Sequence, residues 1–303
     1  MRVRRLTLSA PRAFVWQEVN LPPPGPGEVH VRTHLSAVSV GSELGGVEGR
    51  VFGWTYPCPL GYQTLGVVES VGEGVSLAPG RRVVTTLGHA GGGVHREENV
   101  VPVPDEVPDR VALAVILGEE THKGVRRVAP GPGERVLVTG AGLLGLLTVF
   151  TLTRRGVLQV TVTEPDPARR ELALAFGARE VLPPATVGRD DFDVGFECSA
   201  SPEAFVDLLS HLRPGGRACV LSDGNWGALT LPPAFHTREL TVTASSDGED
   251  YVAYARWLWE HADPLLGRLF EATVTPDDLP TAFAGLGISP RPVSLVADWR
   301  GEA

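Results

Sequence analysis

The chain is poor in cysteine: it has three, Cys58, Cys198 and Cys219, far apart and at no paired spacing. That excludes a disulfide framework and a thiolate zinc cluster, and it fits a reducing cytoplasm. A basic stripe is missing too. Thirty-six acidic residues stand against 27 basic ones, net charge -9, and no segment gathers Arg or Lys as a phosphate backbone requires, so nucleic acid is not an expected partner. The opening MRVRRLTLSAPRAF is basic but lacks the apolar core of an export signal. The longest hydrophobic run, Val136–Leu152, has 17 residues with three glycines and three threonines, short of the roughly 20 that a spanning helix needs. A buried strand running into a buried helix accounts for it, and no membrane contact is expected. Internal repeats and low-complexity linkers are absent as well.

What is present is enough apolar material, 43% of 303 residues, to bury the cores of about two domains. Residues 1–118 read as short strands: VHVRTHLSAVSV, GVVESVGEGVSLAPGRRVVTTL and NVVPVP alternate apolar and polar residues between Gly and Pro. This predicts an irregular antiparallel β domain. From about Gly133 the pattern changes to strand, helix, strand, with ERVLVTG, LQVTVTE, DVGFECS and GRACVLS as four buried-strand runs. Asp166-Pro167 and Ser201-Pro202 place a capping side chain before a proline at a helix start, and Phe176-Gly177 supplies a stop. The economical fold class is α/β: a doubly wound parallel sheet in the middle of the chain, residues 119–259, with the tail, 260–303, returning to pack on the N-terminal domain.

Gly140-Ala141-Gly142-Leu143-Leu144-Gly145 directly follows an apolar strand and opens an apolar helix. In that context Gly-x-Gly-x-x-Gly signals a dinucleotide site: the first glycine makes the tight turn, the second lets backbone approach a pyrophosphate, and the third packs helix on strand. The helix N-terminus then meets the phosphates. An acidic residue is expected about 20 positions on to bind the adenosine ribose, and Glu164 stands at that distance. Its carboxylate repels a 2′-phosphate, which favours NAD, while Arg169 and Arg170 leave NADP open.

These segments, with PGPGEVHVR at 24–32, AVSVGSE at 37–43, PLGYQTLGVVESVGEGVSLAPGRRVV at 59–84 and LRPGGR at 212–217, resemble the medium-chain dehydrogenase/reductase family over nearly the whole chain. The resemblance implies a GroES-like antiparallel β catalytic domain from both chain ends (1–118 and 260–303) and a Rossmann domain between them (119–259). It also implies a homodimer or homotetramer and hydride transfer between nicotinamide and a small-molecule alcohol or carbonyl. It places Thr121 beside the nicotinamide and Ser199 on a loop lining the cofactor ribose. The AVSVGSE and GYQ variants are similar to the branch with bacteriochlorophyllide hydroxyethyl dehydrogenase-like proteins, which implies a larger substrate.

The zinc ligands of the family are another matter. Where its zinc-type members have Cys-Gly-Thr/Ser-Asp, this chain has Val40-Gly41-Ser42-Glu43; where they have Gly-His-Glu, it has Gly61-Tyr62-Gln63. The third ligand falls near Leu117–Glu120, where Glu119 or Glu120 offers oxygen without partners, and the four-cysteine lobe is missing. With one nameable ligand, no catalytic metal is expected. A hydroxyl donor must then stabilise the alkoxide, and Ser42 and Tyr62 are the candidates, with Glu43 and Gln63 behind them. The competing account has Ser42 capping a turn and Tyr62 filling space. His89, His95 and His122 are read mainly as structural, although each could pass protons. Tyr251, Tyr254, Trp257 and Trp259 are read as core or subunit contact. Reduction of a quinone or enone C=C bond, and a non-catalytic dinucleotide-binding regulator, are the alternative functions.

Overall fold

In a computed structural model, residues 1–51, 54–188, 190–222 and 227–301 are described. The chain divides into two compact units, 1–116 with 251–303, and 117–250. The helix Tyr251–Glu260 belongs to the first of these, whereas the sequence reading put 251–259 in the middle domain.

The middle unit is a six-stranded sheet in the order Glu180–Leu182, Gln159–Thr163, Arg135–Thr139, Phe192–Glu197, Leu212–Val220, Thr241–Ala244, parallel throughout. Numbered along the chain this is 3-2-1-4-5-6, the doubly wound Rossmann order. The strand order reverses beside Arg135–Thr139, whose C-terminal end carries the glycine turn. Its flanking helices start as the sequence signals require. Asp166 accepts from the N–H groups of Ala168 and Arg169 at the head of Pro167–Ala175, and Ser201 from Ala204 N at the head of Pro202–Ser210. Four of the six strands were legible as apolar runs. Glu180–Leu182 and Thr241–Ala244 were not, because a short edge strand with half-exposed side chains has no apolar run to show.

The other unit is the GroES-like one. Ala13–Asn20, Arg2–Ala10 and Cys58–Pro59 form a three-stranded sheet. A seven-stranded sheet runs Ala272–Val274, Leu295–Asp298, Glu28–Ala37, Gln63–Val71, Arg82–Thr85, Val101–Pro102, with Gly92–Arg96 also pairing on Glu28–Ala37. The C-terminal Leu295–Asp298 lies antiparallel to Glu28–Ala37, Val296 opposite Ala37. One apolar cluster joins both chain ends through Leu6, Leu8, Val40, Leu60, Phe283 and Trp299. A helix, Val40–Val47, interrupts the strands; its three glycines hid it in the sequence. Tyr254 is buried on Tyr251–Glu260, with Trp257 stacked on it at 5.7 Å and on His261 at 4.5 Å. No helix among the described residues is long and apolar enough to cross a membrane.

Candidate active site

In the Rossmann unit the site is made of backbone. Gly140 has φ +88° and donates its N–H to Thr163 O at 2.8 Å; a Cβ there would lie 2.9 Å from Ser199 Cα. At Gly145 a Cβ would come within 1.9 Å of Gly140 O. Gly142, by contrast, has open space where a Cβ would be, and it heads the helix Leu143–Arg154 with no side chain capping that end. The sterically enforced glycines therefore bracket one that keeps a path open to the helix N–H groups, the geometry an anionic pyrophosphate needs. Leu143 is buried and Leu144 half-buried on the first turn.

Two buried carboxylates brace this turn from the strands on either side. Glu164, 4% exposed, accepts Ala141 N at 2.7 Å through Oε2 and Asp166 N at 2.9 Å through Oε1, tying the second strand's end to the glycine turn. Glu197, fully buried at the end of the fourth strand, accepts Ser199 N (2.8 Å), Ser199 Oγ (2.7 Å), Ala200 N (2.9 Å) and the Ser222 hydroxyl. The Ser199 hydroxyl also accepts Ser201 N at 3.1 Å, so it builds the loop, and its backbone is what faces Gly140. Glu197 was not singled out in the sequence, although an acid ending a buried apolar run is the same signal that picked out Glu164. Arg170 donates to Glu164 O and Pro165 O, and Arg169 is half-buried on the first turn of Pro167–Ala175.

On the helix Val115–Val128, Thr121 is buried and its hydroxyl donates back to Gly118 O at 2.9 Å. Glu119 is fully buried, not a stray oxygen awaiting a metal: it accepts Arg126 Nη2 at 3.1 Å and faces His122 Nδ1 at 3.4 Å. Burial drives both nearby thiols up, Cys198 well above its ordinary value with the Glu197 charge adding to it, and Cys219 to about 12, so neither is a thiolate at neutral pH.

In the GroES-like unit the site is made of side chains. Ser42 Oγ lies 3.2 Å from Tyr62 Oη and 3.4 Å from Ser39 Oγ, a line of three hydroxyls. Ser39 occupies the N-cap position of Val40–Val47, and Ser42 stands on the first turn of that helix. Glu43, 1% exposed, accepts Ser39 N at 2.8 Å and meets His89 Nε2 at 2.9 Å; His89 Nδ1 meets Ser36 Oγ at 2.8 Å, and Trp299 Nε1 donates to Ser36 Oγ at 2.9 Å. Gln63 is buried with neither amide atom hydrogen-bonded among the described residues. His95 lies on Gly92–Arg96, and burial lowers its pKa.

Zinc does not fit these donors. Val40, at the position of the expected cysteine, is buried in the apolar cluster, and the Tyr62 hydroxyl lies within hydrogen-bond distance of Ser42. Among the described residues no three His, Cys, Asp or Glu side chains converge on a metal position.

Against known families, residues 25–108 match the alcohol dehydrogenase GroES-like domain and residues 144–260 the zinc-binding dehydrogenase model. L-threonine 3-dehydrogenases are similar in sequence: that of Rhizobium rhizogenes is 28% identical, covering 72% of this chain and 76% of the relative, and that of Chelativorans sp. 29% over the same shares. A zinc-binding dehydrogenase from Sinorhizobium meliloti solved with NADP superposes with TM-score 0.86 at 19% identity, covering 98% and 99% of the two chains. Acetophenone reductase from Geotrichum candidum, solved with NAD, gives 0.88 at 20%, covering 98% and 97%. At these identities the solved structures establish the shared fold.

Proposed function

The chain belongs to the medium-chain dehydrogenase/reductase family and is an NAD(P)-dependent oxidoreductase, and we propose that it interconverts an alcohol and its carbonyl without zinc, using Tyr62 and Ser42 on the reacting oxygen. The observation that carries this reading is the 3.2 Å Ser42–Tyr62 pair, two hydroxyls standing where the family motif places the proton relay and a metal ligand. When bound, nicotinamide supplies or receives the hydride. In the reductive direction Tyr62 donates a hydrogen bond to the carbonyl oxygen, which becomes an alkoxide as carbon accepts the hydride. The phenolic proton passes to that oxygen, and Ser42 returns one to Tyr62 as it takes a replacement from solvent. Oxidation runs the same relay backwards.

The Rossmann turn supports the cofactor assignment: Gly140, Gly142 and Gly145 cradle the pyrophosphate over Leu143 and Leu144, with Thr121 beside the nicotinamide and Ser199 on the loop lining the cofactor ribose. Glu164 favours NAD, since a buried carboxylate at the ribose position repels a 2′-phosphate; Arg169 and Arg170 are the groups that would admit NADP. Relatives named for threonine and acetophenone favour an alcohol/carbonyl pair over a C=C bond. A homodimer or homotetramer in a reducing cytoplasm completes the reading, and light scattering would test the assembly. The decisive experiment is fluorescence titration with NADH and NADPH, followed by turnover of secondary alcohols, ketones and enones on metal-analysed protein. Tighter binding of NADH with ketone reduction in zinc-free enzyme is expected. One tightly bound zinc per chain overturns the metal-free mechanism, and tight NADH binding without any turnover points instead to a dinucleotide-binding regulator.

A further inference from the structure

His89 is fully buried, and every group around it is accounted for: Glu43 on Nε2, Ser36 on Nδ1, the Phe283 ring edge-on at 6.1 Å, and the backbone of Gly61. Among the described residues Glu43 is the charged group it touches. The hydrogens can be counted. The Trp299 indole can only donate, and it donates to Ser36 Oγ. Ser36 has one hydroxyl hydrogen and one remaining partner able to accept it, His89 Nδ1. Nδ1 is therefore the acceptor, the proton of the neutral ring sits on Nε2, and Nε2–H donates to Glu43 Oε2. An imidazolium would leave the Ser36 hydroxyl buried without an acceptor, an arrangement folded proteins avoid.

The other oxygen of Glu43 accepts Ser39 N, the N-cap position of the helix Val40–Val47, and Ser42 is the residue before Glu43. Four distant stretches thus converge on the start of the helix that presents Ser42 to Tyr62: the strand Glu28–Ala37, the helix itself, the segment around 89 and the C-terminal Trp299. We propose that His89 is a positioning residue for the Ser42–Tyr62 pair, held as the neutral Nε2–H tautomer by Trp299 and Ser36 so that Glu43 stays fixed as a carboxylate and pins Ser39. Its consequence for turnover rests on the proposed role of that pair; the tautomer does not.

The tautomer is read on the wild-type protein by long-range proton–nitrogen NMR of histidine-labelled enzyme. A His89 signal with Nε2 protonated and Nδ1 bare at neutral pH is expected; a protonated Nδ1 overturns the proposal. For the consequence, His89→Ala lowers kcat by about 10- to 100-fold through misplacement of Ser42, with NADH affinity unchanged, and His89→Gln, whose amide N–H can replace Nε2–H, recovers most of it. A folded His89→Ala enzyme with full kcat, or a His89→Gln enzyme no better than the alanine variant, overturns the positioning role. If His89→Ala does not fold, Ser36→Thr, which keeps the hydroxyl donor, must retain both the tautomer and kcat, and loss of either overturns it. Tyr62→Phe separates this proposal from the one it rests on: full activity there sinks the reaction chemistry while the wild-type NMR signature still stands.

Discussion

The two candidate regions, one in each unit, are built from different materials. Around Gly140 the functional surface is backbone: two glycines are enforced by contacts under 3 Å, one is left open, and two buried carboxylates hold the peptide groups in place. Around Tyr62 it is side chains bonded to side chains, Tyr62 to Ser42 and His89 to Glu43, with backbone entering at Ser39 N. A backbone site tolerates almost any side chain that leaves its geometry alone, so its chemistry is hard to lose without losing the fold. A side-chain site can exchange its chemistry residue by residue. That difference explains how the glycine turn stays complete while a valine and a tyrosine stand at expected ligand positions.

The strongest test of this contrast compares two glycine substitutions. Gly145→Ala forces a Cβ to within 1.9 Å of Gly140 O, so the turn must open; NADH affinity is expected to fall by more than about 100-fold, with a lower melting temperature. Gly142→Ala adds a Cβ into open space at φ −78°, a conformation any residue adopts. There the melting temperature is unchanged and only cofactor binding weakens, by roughly tenfold, read by NADH fluorescence. Equal loss of stability in both would break the distinction between enforced and open glycines.

Next in size is Tyr62→Phe, which keeps the ring and removes the hydroxyl. General acid catalysis is worth about 100-fold or more, so kcat for ketone reduction should fall by that order with NADH affinity untouched, as steady-state rates beside a titration would show. Full activity would assign Tyr62 to packing.

The halves also differed in legibility. Gly140, Gly142, Gly145 and Glu164 could be read from spacing alone; at Gly140, which needs φ above zero, and at Gly145, which needs a bare Cα, the turn leaves glycine little choice. Ser42 was found as a match to the family's proton-relay hydroxyl, and Tyr62 as a departure from the family pattern at a metal-ligand position. His89 looked like any isolated histidine: its partners Ser36, Glu43 and Trp299 lie up to 263 positions from one another in the chain, and no local period records such a contact. Glu197 was legible in principle, as an acid ending a buried strand, but no ligand rule pointed to it.

A smaller effect probes the Rossmann half. Glu164→Gln replaces one acceptor oxygen with an amide that faces a backbone N–H, either Ala141 or Asp166, so one buried pair turns repulsive. Loss of one such bond corresponds to about tenfold in NADH affinity. Because the 2′-phosphate no longer meets a charge, NADPH should weaken less than NADH, narrowing the preference; an unchanged ratio of the two affinities would remove Glu164 from cofactor discrimination.

The smallest expected difference is in acid. In the GroES-like unit burial lowers the pKa of His30, His34 and His95. Above the ordinary value of about 6.5 both folded and unfolded chains carry these rings neutral, and nothing is lost. Below it the unfolded chain takes up protons that the folded unit refuses, so stability falls as pH falls. In the Rossmann unit the depressed groups include Glu134, held down by its hydrogen bonds to Arg217. A lowered carboxylate keeps its contribution above the unfolded value of about 4.3 and loses it only as pH drops through the folded pKa. Between pH 7.5 and 5.5, then, hydrogen exchange corrected for the slower chemical exchange of free amides at lower pH should quicken in the strands Glu28–Ala37 and Gly92–Arg96 and stay level in Arg135–Thr139 and Phe192–Glu197. The rings are partly solvated, so each contributes less than the limit of about tenfold per pH unit that one fully differential proton sets. Matching acceleration in both sets of strands would mean that the two units open together, and that the contrast in materials does not extend to how they come apart.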